Sequence, residues 1–245
     1  MNKHKGVFHL LLMAALLAFL LTGCDKIPGK PKPEEAYKRP SEITDFAQLY
    51  HQNCAACHSL NFETPAASIS LNDPVYIAYA GREKMVQITS EGVPGTAMSA
   101  FSRDHGGQLT KEQIRIVVNG IMDRSPKLNT PATSLPPYKN TPGNVVAGQK
   151  VYRAYCASCH GDDGAGDPKG GSVIDPAYLR LVSDQYLRSV VVAGRAGLGM
   201  PNWSQHDSGK IMSDQDIADV VAWLVSHRPK PNAQIDNESQ TESPL

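Results

Sequence analysis

Hydrophobic and polar positions along the chain separate a short apolar run from two long regions of helical character. The apolar run, residues 7–21, follows Lys3 and Lys5, and a basic start before such a run is typical of a secretory signal. Residues 43–140 and 141–228 carry apolar side chains mostly at helical spacing, and little of either region reads as strand. The pattern therefore predicts an all-α protein with two tandem helical domains.

Each of the two regions is predicted to contain three helical segments. The first segment leads into a cysteine motif, and the second has a proline near its start, as helices favour. The third begins at Thr110 or Ser213, whose side chains are typical N-caps. The first two segments are 43–52 and 74–91 in one region, and 144–154 and 176–193 in the other.

The two regions are copies of one another, displaced by 102 positions. No gap is needed between Cys54 and Leu109. The matched positions include tyrosines, glycines, methionines and bulky aromatic residues: Tyr50 with Tyr152, Gly92 with Gly194, Gly95 with Gly197, Met98 with Met200, and Phe101 with Trp203. Such self-similarity indicates duplication of a whole domain.

The most informative motif occurs once in each copy. Cys54-Ala55-Ala56-Cys57-His58 and Cys156-Ala157-Ser158-Cys159-His160 both read C-x-x-C-H, the pattern of a covalent haem attachment site. Two thiols on one helical turn can each add to a vinyl group of one porphyrin, and the histidine that follows can bind the iron. Two copies predict two covalently bound haem c groups.

Other chemistries for these cysteines explain less of the sequence. Two C-x-x-C pairs could form a Cys₄ zinc site, but the histidines, the matched methionines and the secretory signal would then have no role. A thioredoxin-like motif needs a βαβ context, which the helical pattern does not offer. The 24 basic and 24 acidic side chains give a formal charge of zero, so no nucleic-acid partner is indicated.

Each copy resembles a class I cytochrome c domain, and the pair resembles a di-haem cytochrome c. The resemblance covers residues 43–228. In the second copy the histidine is followed by Gly161 and a glycine-rich turn, 162–167. The first copy departs from this pattern, because Ser59 replaces the glycine and no glycine-rich turn follows. The resemblance implies two small helical domains, each folded around one haem.

The resemblance and the repeat together predict the second axial ligand of each iron. Met98 lies 40 residues after His58, and Met200 lies 40 residues after His160. A methionine opposite a histidine raises the reduction potential of a haem. The competing ligands in the two copies lack the matched position: Met85, Met122, Met212, His105 and His206.

The resemblance also implies a close crossing of the first and last helices. Phe46 in one copy corresponds to Gly148 in the other, and Gly120 corresponds to Trp223 when one gap is allowed. The large and small residues are exchanged between copies, as a crossing of fixed volume requires. We therefore expect Phe46 to lie over Gly120 and Trp223 over Gly148.

Two further sets of contacts are expected around each haem. The second ring nitrogen of each axial histidine should donate to a backbone carbonyl, for which Pro65 and Pro168 are candidates by resemblance. Four side chains either bond haem propionates or serve as surface and packing residues: Arg82, Arg195, Tyr76 and Tyr178.

The start of the chain carries a second signal. Leu21-Thr22-Gly23-Cys24 resembles the lipobox of bacterial lipoproteins, which implies cleavage before Cys24, lipidation of its sulfur and stable anchoring by two or more acyl chains. The alternatives are an uncleaved anchor, or a plain signal peptide with an incidental cysteine. Asp25 slightly favours retention at the inner membrane.

These features divide the chain into consecutive segments. They are a signal peptide at 1–23, a proline-rich tether at 24–42, two cytochrome domains at 43–140 and 141–228 joined through a proline-rich connector at 125–143, and a disordered polar tail at 229–245.

Because both copies offer a methionine, both irons are expected to be closed to substrate, and no catalytic residue is assigned. The first hypothesis is a lipid-anchored periplasmic cytochrome, not itself an enzyme, that passes single electrons between redox protein donors and acceptors. The second is the cytochrome subunit of a larger oxidoreductase or terminal oxidase in a membrane. A third, a di-haem peroxidase, would need an iron that can open.

Overall fold

The computed structural model describes residues 37–62, 68–128, 134–139, 141–205 and 209–230. Cys24, the signal peptide and the polar tail lie outside these ranges. The chain divides into two compact units, 1–42 and 43–245. In the first unit the described residues include one 3-10 turn, Pro40–Glu42. Both sequence repeats belong to the second unit.

The described residues of the first repeat form four α-helices. They are α1, Phe46–Asn53; α2, Ala55–His58; α3, Pro74–Glu91; and α4, Lys111–Arg124. Polar side chains set their starts: Asp45 accepts a hydrogen bond from the backbone of Gln48, and Thr110 forms a capping box with Gln113. The predicted N-cap at Thr110 is confirmed.

The second repeat follows the same order with one helix more. Its helices are α5, Val145–Tyr155; α6, Ala157–His160; α7, Pro176–Leu181; α8, Asp184–Ala193; and α9, Asp214–Ser226. Ser213 caps α9 in a capping box with Asp216. The described residues form helices, turns and isolated bridges without a strand, which confirms the all-α prediction. None of the described helices combines the length and the apolar character that crossing a bilayer requires.

The middle segment of each repeat is broken, where the sequence predicted one helix. In α3 the chain turns at Gly81, which has φ 68° and ψ 166°. At the equivalent position in the second repeat, Ser183 accepts a hydrogen bond from the backbone of Tyr186 and starts the new helix α8. The single-helix prediction for 176–193 is wrong, because the apolar spacing continues across the break while the Ser183 side chain caps a new helix.

The first and last helices of each repeat cross as expected, α1 with α4 and α5 with α9. A Cβ atom placed on Gly120 would overlap the ring of Phe46. A Cβ atom on Gly148 would overlap the carbonyl of Asp219 and lie 2.8 Å from Cβ of Trp223. Both predicted large-over-small pairs are confirmed.

A third exchanged pair was missed by the sequence comparison. Phe62 is buried in the first repeat with φ 64°, and its ring centroid lies 4.8 Å from that of Tyr50. The equivalent residue of the second repeat is Gly164, where an added Cβ would lie 3.2 Å from the Trp223 ring. Phe46 and Phe62 thus provide in one repeat the bulk that Trp223 provides in the other.

Residues 134–139 of the proline-rich connector lie between the two repeats. Tyr79 of α3 donates to the carbonyl of Tyr138 over 3.1 Å, and Gln185 of α8 donates to the same carbonyl over 2.8 Å. Arg188, which is completely buried, donates to the carbonyl of Pro137 and forms an ion pair with Asp214. Both repeats therefore hold residues 134–139 of the connector.

Candidate haem sites

Each C-x-x-C-H motif forms one helical turn that continues the preceding helix. The backbone of His58 donates to the carbonyl of Cys54 over 2.9 Å, and that of His160 donates to the carbonyl of Cys156 over 3.0 Å. The turn therefore brings two thiols and one imidazole together in each repeat, at the sequence positions predicted for haem attachment.

The first thiol of each motif lies in an apolar environment. Burial, and then the neighbouring Cys57 thiol, raise the pKa of Cys54 to about 12. The same two causes, with Cys159 as the neighbour, raise the pKa of Cys156 to about 12. The surroundings of both sulfurs therefore favour the neutral thiol, as expected of sulfurs that face an apolar cofactor.

A buried tyrosine from the preceding helix fixes the backbone just after each histidine. The Tyr50 hydroxyl donates to the carbonyl of Ser59 over 2.9 Å, and the Tyr152 hydroxyl donates to the carbonyl of Gly161 over 2.6 Å. Burial is the main cause that raises the pKa of both phenols, so both remain hydrogen-bond donors. The matched tyrosines therefore perform the same task.

Ser59 keeps the backbone shape of the glycine that it replaces. Its φ and ψ are 51° and 166°, against 77° and 157° for Gly161. This region is almost restricted to glycine and is strained for other residues. The Ser59 hydroxyl donates to the side-chain carbonyl of Asn61 over 2.8 Å. The first repeat thus builds the same turn at a cost in backbone strain.

His160 has the backbone acceptor that was expected for an axial histidine, but from a different residue. Its Nδ1 lies 2.7 Å from the carbonyl oxygen of Gly171, so the Pro168 prediction is wrong. Gly170 permits this approach, since a Cβ there would lie 2.6 Å from the Cys159 carbonyl oxygen and 2.9 Å from Nδ1. This contact leaves Nε2 as the nitrogen that can bind a metal.

The corresponding nitrogen of His58 is buried and lacks a partner with full hydrogen-bond geometry among the described residues. Burial lowers the pKa of His58, and the backbone of Ile69 partly offsets that effect. Ile69 is the residue equivalent to Gly171, so the two imidazoles face the same backbone position. Pro65 lies outside the described residues.

The two methionine loops share one backbone hydrogen bond. The backbone of Val93 donates to the carbonyl of Met98 over 2.8 Å, and that of Arg195 donates to the carbonyl of Met200 over 2.9 Å. At the loop entrances Gly92 and Gly194 both have φ 72°, and a Cβ on either would lie 2.7 Å from the methionine carbonyl oxygen. These glycines are needed for the loops to close, and both methionines are half-buried.

The competing ligands lie elsewhere or lack this loop. Met85 and Met212 are buried in the hydrophobic core, and Met122 packs against it. His105 is exposed, and His206 lies outside the described residues. The geometry therefore favours the methionines at matched positions over their rivals.

One protein-family model matches the chain in two parts, residues 41–119 and 143–224, and its description is cytochrome c oxidase, cbb3-type, subunit III. The chain belongs to this family. The match covers both repeats, so each is a cytochrome c domain, and the expected tandem architecture is confirmed. Cytochrome c domains carry covalently attached haem, so this chain has two haem c groups as its cofactors.

Individual relatives of this chain have two kinds of name. It is 33% identical over 215 residues to a cbb3-type cytochrome c oxidase subunit CcoP of Azospirillum sp. (strain B510), covering 79% of this chain and 66% of the relative. It is 29% identical over 164 residues to a FixP subunit of Bradyrhizobium sp. (strain ORS 278), covering 63% and 52%. It is also 26% identical over 190 residues to a thiosulfate dehydrogenase of Stutzerimonas stutzeri, covering 73% and 60%. The chain spans between half and two thirds of the length of these relatives.

The Tyr186 hydroxyl also fits haem in this chain. It is buried without a hydrogen bond to the described residues, and Arg195 lies close enough to lower the pKa of Tyr186 against the larger effect of burial. An acidic group such as a haem propionate would satisfy that hydroxyl. Across the described ranges no three His, Cys, Asp or Glu side chains gather as a bare metal ion would need.

Sequence reasoning missed Tyr186, Gly171 and the contacts of Arg195. The glycine-rich run that includes Gly170 and Gly171 is a visible signal for the histidine acceptor, because only glycine allows backbone to approach the imidazole so closely. For Tyr186 and Arg195 no local pattern marks the role.

Proposed function

We propose that the chain passes single electrons between redox proteins through its two haem groups, each held by one histidine and one methionine. The thioether bonds are formed by Cys54 and Cys57 in the first repeat and by Cys156 and Cys159 in the second. The iron ligands are His58 and Met98, and His160 and Met200. The observation that carries this proposal is that both repeats contain the same cysteine–histidine turn and, 40 residues after its histidine, a methionine loop closed by the same backbone hydrogen bond.

A closed iron at both sites favours electron transfer over catalysis on a substrate. When bound, haem supplies a one-electron change at the iron. The chain supplies the ligands, the hydrogen bond that fixes the tautomer of His160, and the apolar surroundings of Cys54 and Cys156. A methionine as sixth ligand raises the reduction potential, which suits a carrier near the oxidising end of a respiratory chain.

The redox partners are proposed to belong to a respiratory complex in a membrane. The relatives named as cbb3-type oxidase subunits support a role as the cytochrome subunit of a terminal oxidase. Cys24 would anchor the chain by lipid on the periplasmic side, and the electrons would pass from a donor protein through both haems to the oxidase. The relative named thiosulfate dehydrogenase supports a second candidate, a cytochrome component of a periplasmic dehydrogenase.

Replacing each methionine tests the ligand assignment. We expect Met98→His and Met200→His each to remove half of the methionine-to-iron absorption band and to lower one of two midpoint potentials sharply, in a spectroelectrochemical titration of the holoprotein. Met122→Leu is the matched control and should change neither. An unaltered band in either ligand variant would refute that assignment, and rapid peroxide turnover by the unmodified holoprotein would refute the carrier role.

Purification from the native membrane tests the partner and the anchor. A C-terminally tagged chain is expected to bring an oxidase with it and to incorporate labelled fatty acid. The Cys24→Ser chain should lose the label and leave the membrane unless the complex itself retains it. Purification with a thiosulfate-oxidising enzyme, and no oxidase, would favour the second candidate.

A further inference from the structure

Arg195 belongs to the methionine loop of the second repeat. Its backbone N–H donates to the carbonyl of Met200 over 2.9 Å, and its own carbonyl accepts from the backbone of Met200 over 3.2 Å. These paired bonds fix the start of the Arg195 side chain relative to Met200. Any force on that side chain therefore acts on the loop that presents the proposed ligand.

The guanidinium group of Arg195 reaches the first repeat. Its Nη2 atom donates to the carbonyl of Ser68 over 3.0 Å. The hydroxyl of Ser68 in turn donates to the carbonyl of Cys57 over 2.8 Å. The next residue, Ile69, is equivalent to Gly171, whose carbonyl oxygen lies 2.7 Å from Nδ1 of His160. Arg195 thus contacts the segment that lies against both the second cysteine and the histidine of the other haem site.

The contact has no counterpart in the opposite direction. The residue equivalent to Arg195 in the first repeat is Val93, which has no side-chain donor. The residue equivalent to Ser68 is Gly170, which has no side chain and lies against the carbonyl of Cys159. The bridge is therefore a property of the pair of repeats, and neither repeat requires it for its own fold.

We propose that Arg195 is a positioning residue that couples the two haem sites, linking the methionine loop of the second repeat to the histidine-side segment of the first. This inference rests on the proposed assignment of His58 and Met200 as iron ligands. A fixed positive charge near a haem favours its reduced state. The hydrogen bond to Ser68 also holds the Ser68–Ile69 backbone, which faces His58, and such contacts tune a ligating histidine.

The test uses the holoprotein with both haems and the variant Arg195→Gln. Met98→His and Met200→His first assign the two midpoint potentials to their repeats. We expect Arg195→Gln to lower both potentials, including that of the first repeat, which does not contain the substitution. Arg195→Lys, which keeps the charge, should restore most of both shifts. Arg180→Gln, an exposed charge on α7 of the same repeat, is the control and should leave the first potential unchanged.

Hydrogen exchange supplies a readout that does not depend on redox chemistry. The backbone at 68–71 should exchange faster in Arg195→Gln than in the unmodified protein or in Arg180→Gln. A shift confined to the second haem, or an equal shift of both haems in Arg180→Gln, would overturn the proposal. If the glutamine variant does not accumulate, Arg195→Met keeps the length of the side chain and provides the same two readouts.

The failure of this proposal is distinguishable from failure of the proposed function. The proposed function requires that the unmodified holoprotein contain two low-spin haems with histidine and methionine ligands, which its spectra establish before any variant is made. The coupling proposal fails only if those spectra are as expected and the midpoint potential of the first haem does not change in Arg195→Gln.

Discussion

At the crossing of the first and last helices, the large side chain comes from the first helix in one repeat and from the last helix in the other. The first repeat uses Phe46 on α1 against Gly120 on α4, and the second uses Gly148 on α5 against Trp223 on α9. Both solutions fill a crossing that must remain close beside a haem. The duplicated domains have thus kept the volume of the crossing and the backbone path while the residues that supply them have changed.

The same comparison shows an unequal distribution of backbone strain. Ser59 and Phe62 of the first repeat have positive φ, whereas the second repeat has Gly161 and Gly164 at those positions. Phe62 gains ring contacts with Tyr50 in exchange. The first repeat therefore carries strain that the second avoids, although both present the same cysteine–histidine turn.

The largest expected effect comes from adding one methyl group at the tighter crossing. Gly148→Ala should lower the free energy of unfolding by about 3 kcal/mol, because the new Cβ meets the backbone carbonyl of Asp219, which cannot rotate away. Denaturant unfolding of the holoprotein can be followed by tryptophan fluorescence, since both tryptophans, Trp203 and Trp223, lie in the second repeat.

Gly120→Ala is the matched change in the first repeat and should have a smaller effect, about 2 kcal/mol, because the Phe46 ring can move. Phe46→Leu in the same chain should recover part of that loss. If Gly120→Ala proves more damaging than Gly148→Ala, then the ring of Phe46 is held more rigidly than the comparison implies. Circular dichroism, which reports on the helices of both repeats, measures this pair.

The next expected effect concerns Arg188, a buried cation of the second repeat. Arg188 is completely buried against the connector, and the equivalent residue of the first repeat is Val86. Arg188→Met should lower the free energy of unfolding by about 2 kcal/mol, less than for a fully buried pair because Asp214 is partly exposed. Val86→Ala serves as the control and should cost about 1 kcal/mol. Fluorescence-monitored unfolding that shows no loss for Arg188→Met would mean that its ion pair contributes nothing net.

A smaller effect should follow from exchanging the residues after the axial histidines. Ser59→Gly should raise the free energy of unfolding by about 1 kcal/mol, since relief of backbone strain exceeds the entropy that glycine loses on folding. Gly161→Ser should lower it by about the same amount. Thermal unfolding of the two holoproteins measures both, and a destabilised Ser59→Gly chain would show that the bond to Asn61 outweighs the strain.

The smallest effect distinguishes two equivalent helix caps. Asp73 and Asp175 both accept from a backbone N–H at the start of a helix. Burial raises the pKa of Asp73, so its charged form is disfavoured in the folded state, and its contribution to stability improves as the pH falls through that pKa. Asp73→Asn should therefore stabilise at neutral pH by a few tenths of a kcal/mol, since partial exposure limits the effect.

The gain from Asp73→Asn should shrink toward acidic pH, where the native carboxyl is protonated. Asp175→Asn, at an exposed cap, should instead cost a few tenths of a kcal/mol through weaker interaction with the helix dipole. Unfolding at several pH values measures both, and equal behaviour of the two variants would contradict the difference in burial.

Local patterns in the sequence predicted the features that depend on spacing. Periodicity predicted the helix starts at Thr110 and Ser213. Alignment of the copies showed the duplication and the exchange of large and small residues at the helix crossing, Phe46 over Gly120 in one copy and Trp223 over Gly148 in the other. The break at Ser183 was not predicted, because the apolar spacing continues across it and the cap depends on one hydroxyl. The Gly171 acceptor was also missed, since a carbonyl carries no residue-specific signal.

Contacts between distant segments were the least predictable. Arg188 and Arg195 occur as single basic residues in helical or loop sequence, and nothing near them indicates burial or a partner in another repeat. Their acceptors are backbone carbonyls of Pro137 and Ser68, which any residue could provide. Such interactions become visible only when the three-dimensional path of the connector is known.

The position of the connector has a consequence for how the protein melts. Its carbonyl at Tyr138 accepts hydrogen bonds from Tyr79 of one repeat and Gln185 of the other, and Pro137 accepts from the buried Arg188. Unfolding of either repeat would release this segment and expose polar groups that the remaining repeat keeps buried. The two domains, although each has its own helices and haem, are therefore expected to unfold in a single cooperative transition.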